Sequence, residues 1–298
     1  MRRRNFLTTV IPAGIATTLL PKALTAFVPA FDDQGNTVII KNGSSAERFI
    51  NGIGMRGGLT GLIRKGDKVV IKPAMAYDSE PGKGLTTNPQ LVRELINRSY
   101  AAGAHQVSVF DHTWDSWTKC YKDSGIERIA KDARARVWPA NDERYYSEVK
   151  SAKSEFLKSV KIHNALLDAD VFINVSVIDM RNNEGVRASI FNLTGCIWDR
   201  DFITDGNYDT GLADLLYYLH PDLTVIDADT FSPQNDNDRK INFNKQIISD
   251  NPVFADSVVC RLLNISPDEV GYLKIAEHLG FGTTTVALSE IRQLNLKS

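Results

Sequence analysis

Short apolar strands alternating with amphipathic helices predict an α/β fold: an open, mostly parallel sheet with helices on both faces. Three observations predict it. Lys68-Val69-Val70-Ile71-Lys72 is a compact apolar strand stopped by Pro73. A helix-period run follows, with Leu91, Val92, Leu95, Ile96 and Tyr100 on one face. Gln106-Val107-Ser108-Val109-Phe110-Asp111 is then a second strand. A strand–helix–strand unit of this length implies a parallel pair with a right-handed crossover.

Each element has a local reason. Thr37-Val38-Ile39-Ile40 is a short β-branched strand. The glycine-rich run 51–61 lacks the ordered phosphate-loop pattern and has no clear strand leading into it, so it is expected as a mobile turn. Asn88 can cap the helix that Pro89 begins, and Gly103 can end it. A helix is expected over 124–134 and a strand over Ala135–Trp138. The charged stretch 141–158 reads as a surface insertion or hairpin. A helix over 159–167 should lead into the strand Val171–Val175, and a helix over 210–219 into Leu223–Asp227. Lys245–Ile248 is another strand, followed by helices over 252–263 and 267–279.

The N-terminus reads as an address. Arg3-Arg4-Asn5-Phe6-Leu7 fits the core of a bacterial twin-arginine export signal, and an apolar run to Leu20 follows. Leu24-Thr25-Ala26 offers a cleavage site; the alternative is an ordinary secretory signal with a basic start. Residues 1–26 are therefore expected as an export signal, 27–64 as an N-terminal extension and 65–298 as the α/β domain. The expected location is the periplasm or another exported compartment, reached through the twin-arginine machinery.

Composition bounds the function. Hydrophobic residues make up 43% and charged residues 24%, a soluble globular balance. Net charge is -1, which gives no electrostatic case for nucleic acid. No second apolar run approaches the ~18 residues of a membrane span, so no transmembrane segment is expected in the mature chain. The cysteines Cys120, Cys196 and Cys260 are widely spaced, without a C-x-x-C pair, which argues against an iron–sulfur cluster.

Open α/β sheets place ligands at the carboxyl ends of their strands. Those ends carry Lys72; Asp111, His112 and Asp115; Asn174, Ser176 and Asp179; and Asp227 with Asp229. Lys72 can serve as a cation, and Asp111 and Asp227 as acidic groups, so these three are the candidate catalytic residues. Asp111, His112 and Asp227 are the candidate ligands of a divalent metal. Asp111 could instead cap the next helix, with His112 facing solvent. Asp227 and Asp229, two apart on an extended chain, project to one side and could reach one cation. Thr86 and Thr87, in the loop after the first strand, with Asn174, Asn192 and Gly195, are candidate ligand contacts. The acidic run around Asp199-Arg200-Asp201 lacks the calcium-loop pattern and reads as a solvated loop.

Several of these segments, in order, resemble one family. They are Val69-Val70-Ile71-Lys72-Pro73, Thr86-Thr87-Asn88-Pro89, Ala102-Gly103-Ala104, Leu167–Asn174, Pro221–Asp227 and Ser249–Asp256. The family is catalogued as domain of unknown function 362, and the resemblance covers roughly residues 65–280. It implies an α/β protein; some members carry ferredoxin-type modules, for which this chain has no cysteine-rich segment. The family's "P-K-L-K-T-H" stands here as Val177-Ile178-Asp179-Met180-Arg181-Asn182. Its "K-N-L-F-G" stands as Phe191-Asn192-Leu193-Thr194-Gly195, keeping Asn192 and Gly195 and losing the lysine. The expectation is an enzyme-like protein binding a small anionic or metal-chelated ligand at the strand ends. The alternatives are a non-catalytic periplasmic binding or accessory protein using the same cleft, and a structural protein in which the cleft has decayed.

Overall fold

The structure, a computed structural model, describes residues 37–154, 156–180, 185–231, 240–289 and 291–297. The expected export signal lies outside these residues. The strands are β1 (Val38–Lys41), β2 (Lys68–Pro73), β3 (Gln106–Val109), β4 (Arg136–Val137), β5 (Tyr146–Lys150), β6 (Ser159–His163), β7 (Val171–Ser176), β8 (Leu223–Phe231), β9 (Ile241–Ser249) and β10 (Arg292–Asn295). The helices are α1 (Ser45–Met55), α2 (Pro89–Ala101), α3 (Trp117–Asp123), α4 (Ile126–Asp132), α5 (Asn164–Leu167), α6 (Ser189–Asn192), α7 (Tyr208–Asp214), α8 (Pro252–Leu262) and α9 (Gly271–His278).

One eight-stranded sheet has the order β10-β1-β9-β8-β7-β2-β3-β4, and β5 pairs with β6 in a separate hairpin. The five strands β8, β7, β2, β3 and β4 are mutually parallel. β9 runs antiparallel to both β8 and β1, and β10 is parallel to β1. The fold is thus α/β with a mostly parallel sheet, as the strand–helix alternation predicts.

Side-chain alternation divides the core into two layers. Val69 and Ile71 of β2, Val171 and Ile173 of β7 and Val225 of β8 pack under α1, α2 and α4. Val70, Phe172 and Ile226, one residue along, face α7, α8 and α9. Helices therefore cover both faces. Strands buried on both sides read in sequence as continuous apolar runs, which is why the parallel core is predictable.

The helix starts follow their caps. Asn88 Oδ1 accepts from Gln90 N–H at 2.9 Å ahead of Pro89, and Asn251 Oδ1 accepts from Phe254 N–H at 3.0 Å ahead of Pro252. α1 begins in a capping box between Ser44 and Glu47.

Three segments differ from expectation. Residues 159–163, expected as helix, form β6, and only Asn164–Leu167 is helical. Val160 and Ile162 are buried while Ser159 and Lys161 are more exposed, a period of two rather than 3.6. The glycine-rich run is not a loop throughout, because 51–55 complete α1. A Cβ at Gly52 would lie 2.6 Å from Ile40 Cδ1 and 2.7 Å from Ile248 Cδ1, so this glycine permits close helix–sheet packing. Finally, residues 37–64, expected as an extension, contribute β1 and α1 to the main sheet, with β1 between β9 and β10.

Candidate functional site

The parallel strands progress outward in two directions, β2 to β3 to β4 on one side and β7 to β8 on the other. The reversal falls between β2 and β7. At such a switch point, the loops leaving the carboxyl ends diverge and open a crevice. Lys72 and Asn174 face each other in register at this crevice. Thr87 closes the sheet beneath it: its Oγ1 accepts from Ala74 N–H and donates to the Val175 carbonyl, both at 2.9 Å. Thr86 Oγ1 donates to the Ala74 carbonyl at 3.0 Å. The two threonines fix the backbone under the cleft and do not line it.

Lys72 is 1% exposed. Its Nζ lies 2.7 Å from Asp111 Oδ1, 2.6 Å from Asn192 Oδ1 and 3.0 Å from the Pro73 carbonyl. Asn192 Oδ1 and the Pro73 carbonyl accept hydrogen bonds from Nζ, and Asp111 Oδ1 completes the set as its ion-pair partner. Asn192 Nδ2 donates to Asn174 Oδ1 at 2.8 Å, and Asn174 Nδ2 donates to the Ser189 carbonyl at 2.8 Å. The chain Asn174–Asn192–Lys72–Asp111 thus joins β7, α6, β2 and the end of β3.

Asp111 is fully buried. Its Oδ2 accepts from Met75 N–H at 2.9 Å, and its own N–H donates to the Tyr121 hydroxyl at 2.9 Å. Oδ1 pairs with Lys72 by distance but is not aligned for a hydrogen bond. Burial raises the carboxyl above its ordinary range, and Lys72 pulls it back. Asp111 does not cap α3, whose cap position is Ser116. Gly195 passes directly over the pair: a Cβ there would meet Asp111 Oδ1 at 1.9 Å and Lys72 Cε at 2.5 Å.

The cleft above this cluster holds about 430 Å³ of free space, including its mouth. Ala74, Leu85, Val177 and Phe191 supply apolar wall, and Ser176 and Arg187 supply polar groups. Arg187 Nη2 pairs with Asp179 Oδ2 at 2.9 Å, and its guanidinium lies 4.9 Å from the Phe191 ring centre. Ser176 is 1% exposed, and its hydroxyl has no hydrogen-bond partner among the described residues.

His112 lines the mouth. Its Nδ1 lies 2.7 Å from the Ile197 carbonyl and must therefore carry the proton. Burial, and then Arg200, lower its pKa to about 4, so the ring is neutral at pH 7. Arg200 donates to the carbonyls of His112 and Thr113 and lies 3.7 Å over the Trp114 ring. Read as part of a solvated loop, Arg200 in fact packs against two residues of the mouth.

Asp227 is not brought into the cleft. It occupies the opposite face of the sheet, with Val225, where Oδ1 accepts from Ser45 Oγ at 2.5 Å and Oδ2 from Asn88 N–H at 3.1 Å. The cation that Asp227 and Asp229 share is Arg48, whose Nη2 lies 3.9 and 2.6 Å from them. Asp111, His112 and Asp227 therefore do not form one ligand set, and no group of three or more His, Cys, Asp and Glu converges among the described residues. The three cysteines are buried and form no disulfide.

Strand-end reasoning found Lys72, Asp111, Asn174, Ser176, Asn192 and Gly195. It missed Arg187, which lines the cleft, and Arg200, which packs against His112 and Trp114 of its mouth; both come from irregular segments with no local signature. It also missed Asp256, which lies behind α6. Asp256 has a signal in retrospect: it is a carboxylate inside the apolar run Val253-Phe254-Ala255-Asp256 of a buried helix.

Comparison with known proteins adds a family and a fold. The family described as Domain of unknown function (DUF362) matches residues 69–261. A thylakoid-associated protein, sll1697, of Synechocystis sp. is 21% identical over 246 residues, covering 78% of this chain and 74% of that protein. Among solved structures, the lactate racemase apoprotein from Thermoanaerobacterium thermosaccharolyticum superposes with a TM-score of 0.50 at 12% identity. That match covers 78% of this chain and 58% of the racemase chain, and it is a likeness of fold.

Proposed function

This chain belongs to the DUF362 family, and from that premise we propose that its switch-point cleft binds a small anionic ligand beside the Lys72–Asp111 pair. The observation that carries the reading is Ser176: a buried cleft hydroxyl without a hydrogen-bond partner among the described residues is costly unless something bound there supplies one. Charge supports an anion. Lys72 is paired with Asp111 and Arg187 with Asp179, while Arg200, among the described residues, has only carbonyls and a neutral imidazole as polar partners. No carboxylate forms a direct pair with it among the described residues, although the charge of Asp111 acts on it from within the cleft.

Two uses of the cleft remain. The raised carboxyl of Asp111, with Oδ1 off the hydrogen-bond line, supports proton transfer to or from the bound ligand. The complete set of partners on Lys72 supports binding without turnover. Thermal unfolding with acetate, oxalate and inorganic phosphate tests the reading. At 100 times its Kd, a ligand of the folded state stabilises by about 2.7 kcal/mol. Ser176→Ala should weaken that stabilisation without destabilising the empty protein. Equal midpoints in all three anions and in chloride of the same ionic strength would sink the reading.

The compartment belongs to the same proposal. The pair Arg3-Arg4 supports export of the folded chain by the twin-arginine route. No described helix is long and apolar enough to cross a membrane. Arg3→Lys with Arg4→Lys should retain the protein in the cytoplasm, and continued normal export would reject the route.

A further inference from the structure

We infer that Asp256 is a positioning residue of the cleft, clamping the first turn of α6, the short helix whose last residue, Asn192, holds Lys72. The inference rests on the reading of this cleft as the functional site.

A four-residue helix is too short to be stable alone, and its first N–H groups need acceptors. The residue before α6 is Ala188, whose methyl group cannot accept a hydrogen bond to cap it. The acceptors come instead from a carboxylate 67 residues along the chain. Asp256 Oδ1 accepts from Ser189 N–H at 2.7 Å and from Ser189 Oγ at 2.5 Å. Oδ2 accepts from Ile190 N–H at 3.1 Å and from the Tyr272 hydroxyl at 3.0 Å. Four donors thus converge on one fully buried carboxylate.

The path from this clamp to the cleft is short. The Ser189 carbonyl accepts from Asn174 Nδ2, and Asn192, three residues on, contacts both Asn174 and Lys72. If the first turn moves, both ends of the amide chain move with it. Asp256 contacts none of the cleft groups itself.

The titratable groups around Asp256 are Tyr272 from α9 and Cys260 one turn along α8, with Tyr208 of α7 acting on Tyr272 behind them. No lysine, arginine or histidine pairs with it among the described residues. Burial raises its carboxyl to about 6 against the pull of its four donors. Below that pH, one oxygen carries a proton and can no longer accept from all of its donors.

The test follows the amine of Lys72 in the full chain labelled with ¹⁵N-lysine, its signal assigned by loss in Lys72→Met. In Asp256→Ala that keeps native circular dichroism, the Nζ signal should move or vanish. If that variant does not fold, Ser189→Ala, which removes one of the four donors, should move the signal by a smaller step. In the wild type the signal should also shift with a midpoint near pH 6, and this component should be missing in Asp256→Asn. Titration of Asp111 contributes to both proteins alike. An unchanged signal in folded Asp256→Ala, or in Ser189→Ala, would overturn the inference, as would the same pH course in Asp256→Asn. The signal requires no added anion, so failed anion binding and failed positioning are separate results.

Discussion

Gly195 and Asp111, 84 positions apart in the sequence, approach so closely that a side chain on one excludes the carboxylate of the other. A Cβ on Gly195 would stand 1.9 Å from Oδ1. The backbone of the turn after α6 is therefore the roof of the ion pair, and His112 N–H ties the two segments by donating to the Gly195 carbonyl at 3.0 Å.

Gly195→Ala should destabilise the fold by about 1–3 kcal/mol, the usual range for overpacking a closed site. Gly54→Ala is the control. Gly54 lies in α1, with nothing within 4 Å of its added methyl, so that change should stabilise by roughly 0.5–1 kcal/mol. Chemical denaturation of both variants measures the contrast. Equal effects would mean that the roof is not tight.

Removing one partner of the buried pair should cost more than removing both. Lys72→Met leaves Asp111 without its cation, and Asp111→Asn leaves Lys72 without its anion. Each is expected to lose about 3–5 kcal/mol, and the double variant less than either single one. A double-mutant cycle by denaturant unfolding gives the coupling directly, and additive losses would show that the two do not act as a pair.

Asp227→Ala should separate architecture from site. The carboxylate ties Ser45 of α1 to Asn88 at the start of α2, so its removal should lower stability by about 1–3 kcal/mol. Binding of an anion in the cleft should be unaffected, because Asp227 lies on the other face of the sheet. Loss of anion binding in a fully folded variant would return Asp227 to the site.

Acidity gives a signed prediction. A carboxyl whose folded pKa is raised binds its proton more tightly folded than unfolded, so stability is highest below the unfolded value and falls as pH rises through the folded value. For Asp256 the window runs from 3.8 to about 6. The stability difference between wild type and Asp256→Asn should therefore shift against the wild type by on the order of 3 kcal/mol between pH 4 and 7. His112 and His163, both lowered to about 4, act in the opposite direction between pH 6.5 and 4. They are common to both proteins and cancel in the difference. A difference independent of pH would place the Asp256 titration elsewhere.

Much of the site is legible from strand ends because parallel strands deliver their last residues to one edge. Lys72, Asn174 and Ser176 follow from that alone. What a linear sequence does not carry is the face. Asp227 also ends an apolar stretch, but it has the parity of Val225, not of Ile226, so it turns towards α1 and α2. Glycine has a similar ambiguity. In 51–61 it suggests a loop, yet Gly52 is helical and packed against the sheet, while only Gly57 and Gly58 take the left-handed turn that glycine favours. Arg200 and Asp256 act across 88 and 67 positions respectively, and contacts at that range are set by how the layers stack, not by neighbouring residues.

The placement of β1 between β9 and β10 bears on how the chain reaches its native state. Asn42 and Asn295 are 253 positions apart and hydrogen-bonded through their side chains at 2.6 Å. The sheet's far edge is thus assembled from the two ends of the described chain. Closing so long a loop is entropically slow, and high contact order retards folding. Until β10 has emerged from the ribosome, β1 has a partner on one side only. That interval is when an unpaired β1 is most exposed to mispairing or proteolysis.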